Sequence, residues 1–123
     1  MTLQALREYP SLKAEIQRLS RRLNELRLEL AEEQSEETQK AISKLYIKLD
    51  NMHREQLMKE IELTRQIEQI DDAQVRLSIQ LHYIDGFTWN EVANEIGGGN
   101  TDAACRKYVS RYFEKTSDKS QHS

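Results

Sequence analysis

Residues 88–114 read TWNEVANEIGGGNTDAACRKYVSRYFE. Thr88 followed three residues later by Glu91 fits a capping box, with Thr at the N-cap and Glu at N3. The spacing predicts a short helix from Trp89 to Ile96, with Val92, Ala93 and Ile96 facing inward. Gly97-Gly98-Gly99-Asn100 must then leave the helix, because three glycines in a row favour a turn. Thr101 is the expected N-cap of a further helix over Asp102 to Glu114, with Asp102 favourably placed against the helix dipole. Cys105, Tyr108, Val109 and Tyr112 recur at three or four residues and form the expected inner face, with Phe113 beside them. A short helix, a tight glycine turn and a longer helix, with a small Ala93 where helices must approach, form a helix-turn-helix pattern.

Upstream, a first helix of the same module is expected over Ala73 to Ile84. Asp71 or Asp72 caps it, and Val75, Leu77, Ile79, Leu81 and Ile84 are its apolar positions. Arg76 and Gln80 are expected to face out, and His82, near the helix end, to lie at the surface or satisfy the helix dipole. Gly86 can end the helix in a left-handed conformation. The outer face of the third helix should carry Asp102, Ala103, Arg106, Lys107 and Ser110, with Arg111 and Lys115 beside them. Small side chains at Ala103 and Ser110 suit entry into a major groove, while Arg106 and Lys107 can reach guanine edges or phosphates. Trp89, Tyr108 and Tyr112 are read as core, and Cys105 as a small buried hydrophobe.

The N-terminal half is different in kind. Leu12, Ile16, Leu19, Leu23, Leu26 and Leu30 step by four and three, an a/d seam. Pro10-Ser11 suits a helix start, with Leu3 and Leu6 in a short leading turn. Residues 31–40, AEEQSEETQK, read as a polar connection or a continuous helix. A second long helix runs from about Thr38 to Ile70. Ile42, Leu45, Leu49 and Met52 keep the seam, but Leu57, Ile61, Leu63, Ile67 and Ile70 break its register. The stripes can close a hairpin within the chain, and they are also expected to pair between chains as a homo-oligomer.

The fold class is therefore all-α: a long helical hairpin or coiled-coil segment over residues 1–70, a three-helix helix-turn-helix module over 71–115, and a disordered tail over 116–123. One proline, four glycines and 32% charged residues fit long solvated helices. The net charge of −3 means that binding to DNA must rest on local charge. The single cysteine excludes an intramolecular disulfide, and His53, His82 and His122 are too scattered for a metal site. There is no signal pattern and no apolar run of membrane-spanning length, so a cytoplasmic protein without membrane contact is expected. GGGN lacks the Lys-Ser/Thr of a phosphate loop, and no nucleophile or paired-carboxylate motif is present, so neither an enzyme nor a cofactor is expected.

The run from Ile70 to Phe113 resembles region four of bacterial sigma factors, where a capped helix ending in Tyr and Gly precedes a TWNEVA-like segment, a glycine turn and the reading helix. With REYPSLKAEIQRL near its start, the whole chain resembles small sigma-like regulators of Gram-positive phages and mobile elements, the late-gene activators of the ArpU and RinA type. The resemblance implies binding to double-stranded promoter DNA and contact with RNA polymerase. It places the reading positions at Thr101, Asp102, Ala103, Arg106, Lys107 and Ser110. The glycine turn is longer than the usual one, and no stretch resembles the promoter-melting part of a complete sigma factor. The residues leave two other readings open: a small terminase-like DNA-packaging subunit, and a helical adaptor that binds only protein.

Overall fold

A computed structural model describes the backbone of residues 1–33 and 35–122, and the side chains of residues 1–33 and 35–116. The described residues are all-α: α1 (Leu3–Glu32), α2 (Glu36–Glu68), α3 (Ala73–Ile79), a π-helical turn (Gln80–Ile84), α4 (Trp89–Ile96) and α5 (Asp102–His122). None of these helices is long and apolar enough to cross a membrane. The final helix is longer than expected, since its backbone runs through positions read as a tail from the sequence. The side chains of residues 117–123 lie outside the described set.

Two compact units form, one of residues 11–59 and one of residues 1–10 with 60–123. In the first, Leu12, Ile16, Leu19, Leu23 and Leu26 of α1 bury against Ile42 and Leu49 of α2, with Leu30, Leu45 and Met52 at the margin. The a/d seam thus closes within the chain as a helical hairpin. The a/d positions are the ones buried because a 3.5-residue repeat keeps one stripe facing the neighbouring helix. The connection is short, as Glu33 remains bonded to the Glu29 carbonyl and Ser35 Oγ accepts from Thr38 N at 3.5 Å.

The second unit joins pieces that the sequence reading kept apart. Its larger core holds Leu6 and Tyr9 of α1, Leu63, Ile67 and Ile70 at the end of α2, and Val75, Ile79, Tyr83, Ile84 and Val109. A satellite core packs Leu81, Val92, Ala93 and Cys105, with Phe87, Trp89 and Ile96 beside them. The boundary near Asp71-Asp72 therefore separates helices but not cores. Leu57 and Ile61 are exposed while Leu63 and Ile67 are buried, so the apparent register break in α2 is one helix with two differently used faces.

The start of α1 also corrects the sequence reading. The helix begins at Leu3, with Thr2 Oγ1 accepting from Ala5 N at 3.1 Å, and Pro10 lies inside it. An interior proline costs roughly 3 kcal/mol. Full burial of Leu6 and Tyr9 is large enough to offset that, at about 1.5–3 kcal/mol for each large apolar side chain.

Candidate nucleic-acid interface

Caps chosen by side-chain chemistry place the three-helix module. Asp72 accepts from Gln74 N and Val75 N at 2.9 and 3.1 Å, which starts α3. Arg76 does not face out as expected; its guanidinium donates to the Ile70 carbonyl at 2.6 Å, tying α3 to the end of α2. Ser78, buried within α3, donates its hydroxyl to the Gln74 carbonyl at 2.7 Å, so no polar group is left unsatisfied there. Leu77, expected in the core, is exposed.

The π turn explains the irregular apolar pattern after α3. Asp85 N bonds to the Gln80 carbonyl at 3.0 Å, a step of five residues. The wider turn lets Leu81 enter the satellite core while Tyr83 and Ile84 enter the larger one. Gly86 then takes φ +80°, as its place after the helix predicts.

His82 lies in this turn, half-buried rather than at the surface. Its Nδ1 donates to the Phe87 carbonyl at 2.7 Å, and its ring stacks on Trp89 with centroids 3.9 Å apart. Burial holds its pKa below the usual histidine value, the Arg106 guanidinium acts in the same direction, and the Phe87 carbonyl opposes them. Thr88 and Glu91 complete the expected capping box, with Glu91 N donating to Thr88 Oγ1 at 3.2 Å and Thr88 N to Glu91 Oε1 at 3.1 Å.

Between α4 and α5, Gly97, Gly98 and Gly99 all have positive φ. Gly97 combines φ +71° with ψ −157°, outside the left-handed helical region that a glycine after a helix commonly takes. Asn100 closes the turn by donating from Nδ2 to the Gly97 carbonyl at 2.8 Å, and Gln74 Nε2 donates to Asn100 Oδ1 at 3.3 Å. The turn is thereby held against α3. Thr101 caps α5 as predicted, accepting from Ala104 N at 3.1 Å.

Along α5, Cys105 and Val109 are buried, and Tyr112 and Phe113 are half-buried and packed edge to face at 5.4 Å. Burial, then the Asp102 carboxylate, push the Cys105 thiol up, away from the reactive thiolate. At 100° per residue, the line opposite this inner face runs through Ala103, Lys107, Ser110, Arg111 and Glu114. All five are exposed. Lys107 and Arg111 make no ion pair among the described residues, and the line is flanked by Lys115.

Two residues depart from the expected pattern. Arg106 is exposed but lies to one side, with its guanidinium 3.2 Å from Asp102 Oδ2. The pair is largely solvent-exposed and weak, so it competes only modestly with an outside anion. Tyr108, read as core, is 44% exposed on the other flank, because α5 turns Cys105, Val109 and Tyr112 inward instead. An aromatic ring thus borders the basic line, a feature that inspection of the 3.6-residue period from Val109 alone could have found. Thr101, Asp102, Ala103, Arg106, Lys107, Ser110 and Arg111 are brought together at the start and outer side of one helix. Among the described residues no three His, Cys, Asp or Glu side chains gather as a metal site.

No family model matches the chain, and neither a curated protein nor a solved structure matches it.

Proposed function

We propose that the chain is a sequence-specific, double-stranded-DNA-binding transcriptional regulator of phage type, cytoplasmic, acting near a promoter together with RNA polymerase. It is read as a binding protein, not an enzyme. The observation that carries this is the outer line of α5: two small residues, Ala103 and Ser110, beside two cations, Lys107 and Arg111, on a helix set behind a glycine turn. Small side chains let a helix approach base edges, and the cations meet phosphates or guanine. Thr101 at the helix start adds a hydroxyl for the backbone, and Arg106 can leave its exposed partner for a base.

The charge distribution supports α5 as the contacting element. Arg106, Lys107, Arg111 and Lys115 lie on it against Asp102 and Glu114, while Asp71, Asp72, Asp85, Glu91 and Glu95 make the rest of the module acidic. A single module therefore holds few phosphates, and association of two chains would double them.

A gel-shift titration of Arg106→Ala, Lys107→Ala and Arg111→Ala, singly and combined, tests the reading after circular dichroism has verified folding. Lys107→Ala and Arg111→Ala should each lower the salt slope by about one unit. Arg106→Ala should reduce discrimination between sites by about 1–3 kcal/mol if it reads a base. Duplex binding by the triple variant as tight as that of the parent would remove the DNA reading and leave the protein-binding adaptor.

A further inference from the structure

We propose that the face of α2 turned away from the hairpin core pairs, antiparallel, with the same face of a second copy of this chain, about a two-fold axis level with Met52. By their spacing, the Leu12–Leu30 and Ile42–Met52 seams are the expected surfaces for self-association. Those residues are buried against each other within the chain, so they cannot serve a partner without opening the hairpin. A different stripe remains uncovered. Ile47, Leu57 and Met58 are 65, 55 and 66% exposed, and Tyr46, 44% exposed, carries the Arg27 guanidinium of α1 at 5.6 Å from its ring centroid. Single exposed apolar residues are ordinary, but four large ones on one side of a helix are not.

Ile47, Asp50, Arg54 and Leu57 step by three, four and three, which is a second a/d stripe, with Tyr46 and Met58 at its ends. The stripe is nearly palindromic about position 52. Ile47 and Leu57 are equidistant from it, as are Tyr46 and Met58, and as are Asp50 and Arg54, which bear opposite charges. A reversed copy therefore sets Ile47 against the partner's Leu57 and Asp50 against the partner's Arg54, with Tyr46 and Met58 on opposite edges of the seam. Two-fold symmetry repeats each contact, as an isologous interface requires. A parallel copy would oppose Asp50 to the partner's Asp50 and Arg54 to the partner's Arg54, like against like. Within the chain, Arg54 and Asp50 pair at 3.1 Å with both side chains mostly in solvent. Such a pair is weak and readily shared with a second copy. All six residues belong to the unit of residues 11–59.

The test uses the full-length chain without DNA, so its outcome is independent of the DNA-binding reading. Sedimentation equilibrium should show a concentration-dependent dimer. Ile47→Glu with Leu57→Glu should give a monomer of unchanged helical content. Asp50→Arg alone, a milder change at an exposed site, should weaken the dimer by at least about tenfold through like-charge contact. Combining it with Arg54→Asp should restore the dimer. Oxidising a mixture of chains carrying Ile47→Cys or Leu57→Cys should yield chiefly the mixed disulfide. A monomer at all concentrations, no effect of Asp50→Arg, or disulfides formed chiefly between two Ile47→Cys chains would overturn the proposal.

Discussion

His82 carries a proton on Nδ1 for the Phe87 carbonyl, which leaves Nε2 as the atom that must accept a proton if the ring is to become charged. The ring is half-buried against Trp89, and Arg106 opposes a second positive charge nearby. The folded-state pKa is therefore below the ordinary value of about 6.5 that the unfolded chain retains. As pH falls through that value, the unfolded chain takes up the proton first. The stabilising contribution is complete above about pH 6.5 and is lost as pH falls toward the lower folded pKa. We expect the melting temperature of the wild type to fall between neutral pH and the acid side of this range. His82→Phe, which keeps a ring against Trp89 but cannot titrate, should fall less over the same window. Parallel melting curves for the two proteins would show that His82 does not couple to folding. By sequence His82 falls near the end of a regular helix, where it would lie at the surface or satisfy the helix dipole, whereas the π turn rotates it toward Trp89.

At the scale of elements, cap chemistry was the most legible feature. Thr88, Glu91, Thr101 and Asp72 all cap as their local sequence implies, because an N-cap needs only a side-chain oxygen within three residues of the orphan N–H groups. The glycine turn was legible as a turn but not in its geometry. Gly97 has φ +71° and ψ −157°, a region open essentially to glycine alone. Nothing lies within 4 Å of where a Cβ would be, so substitution there meets backbone strain without a clash. Gly97→Ala should lose about 1–3 kcal/mol. Gly97→Asn should not escape the loss, since asparagine is tolerated in the left-handed helical region, which this ψ excludes. Denaturant titrations of both variants measure the effect, and a loss confined to Ala would mean that the turn relaxes into that helical region. Pro10 shows the opposite failure of local rules: a residue that marks a helix start in isolation is overridden where Leu6 and Tyr9, on its N-terminal side, are drawn into a core.

At the scale of the whole molecule, the sequence conveyed an all-α chain with a hairpin and a helix-turn-helix, but not which residues share a core. Periodicity gives the apolar face of a helix without naming what covers it, so by spacing alone residues 1–10 and 60–70 group with the hairpin. In the structure the larger core of the three-helix module contains Leu6, Tyr9, Leu63, Ile67 and Ile70 from outside the module. The same dependence decides what the candidate interface needs in order to exist, because Val109 of α5 packs in that core while Lys107 and Arg111 stand on the opposite side of the helix. A fragment of residues 71–116 would keep its caps and its satellite core of Leu81, Val92, Ala93 and Cys105, yet would expose Val75, Ile79, Tyr83 and Val109. Domains of only about 45 residues are marginal even with an intact core. We therefore expect this fragment to give a poorly dispersed amide NMR spectrum and no cooperative melt. In the full-length chain, Leu6→Ala should cost about 2–5 kcal/mol and lower the amide-exchange protection of α3 and α5, although Leu6 lies far from both in sequence. Leu19→Ala, in the core of the hairpin, should instead lower protection in residues 11–59 first. A well-folded fragment with native-like dispersion would mean that residues 1–10 and 60–70 merely cover a module that is stable without them.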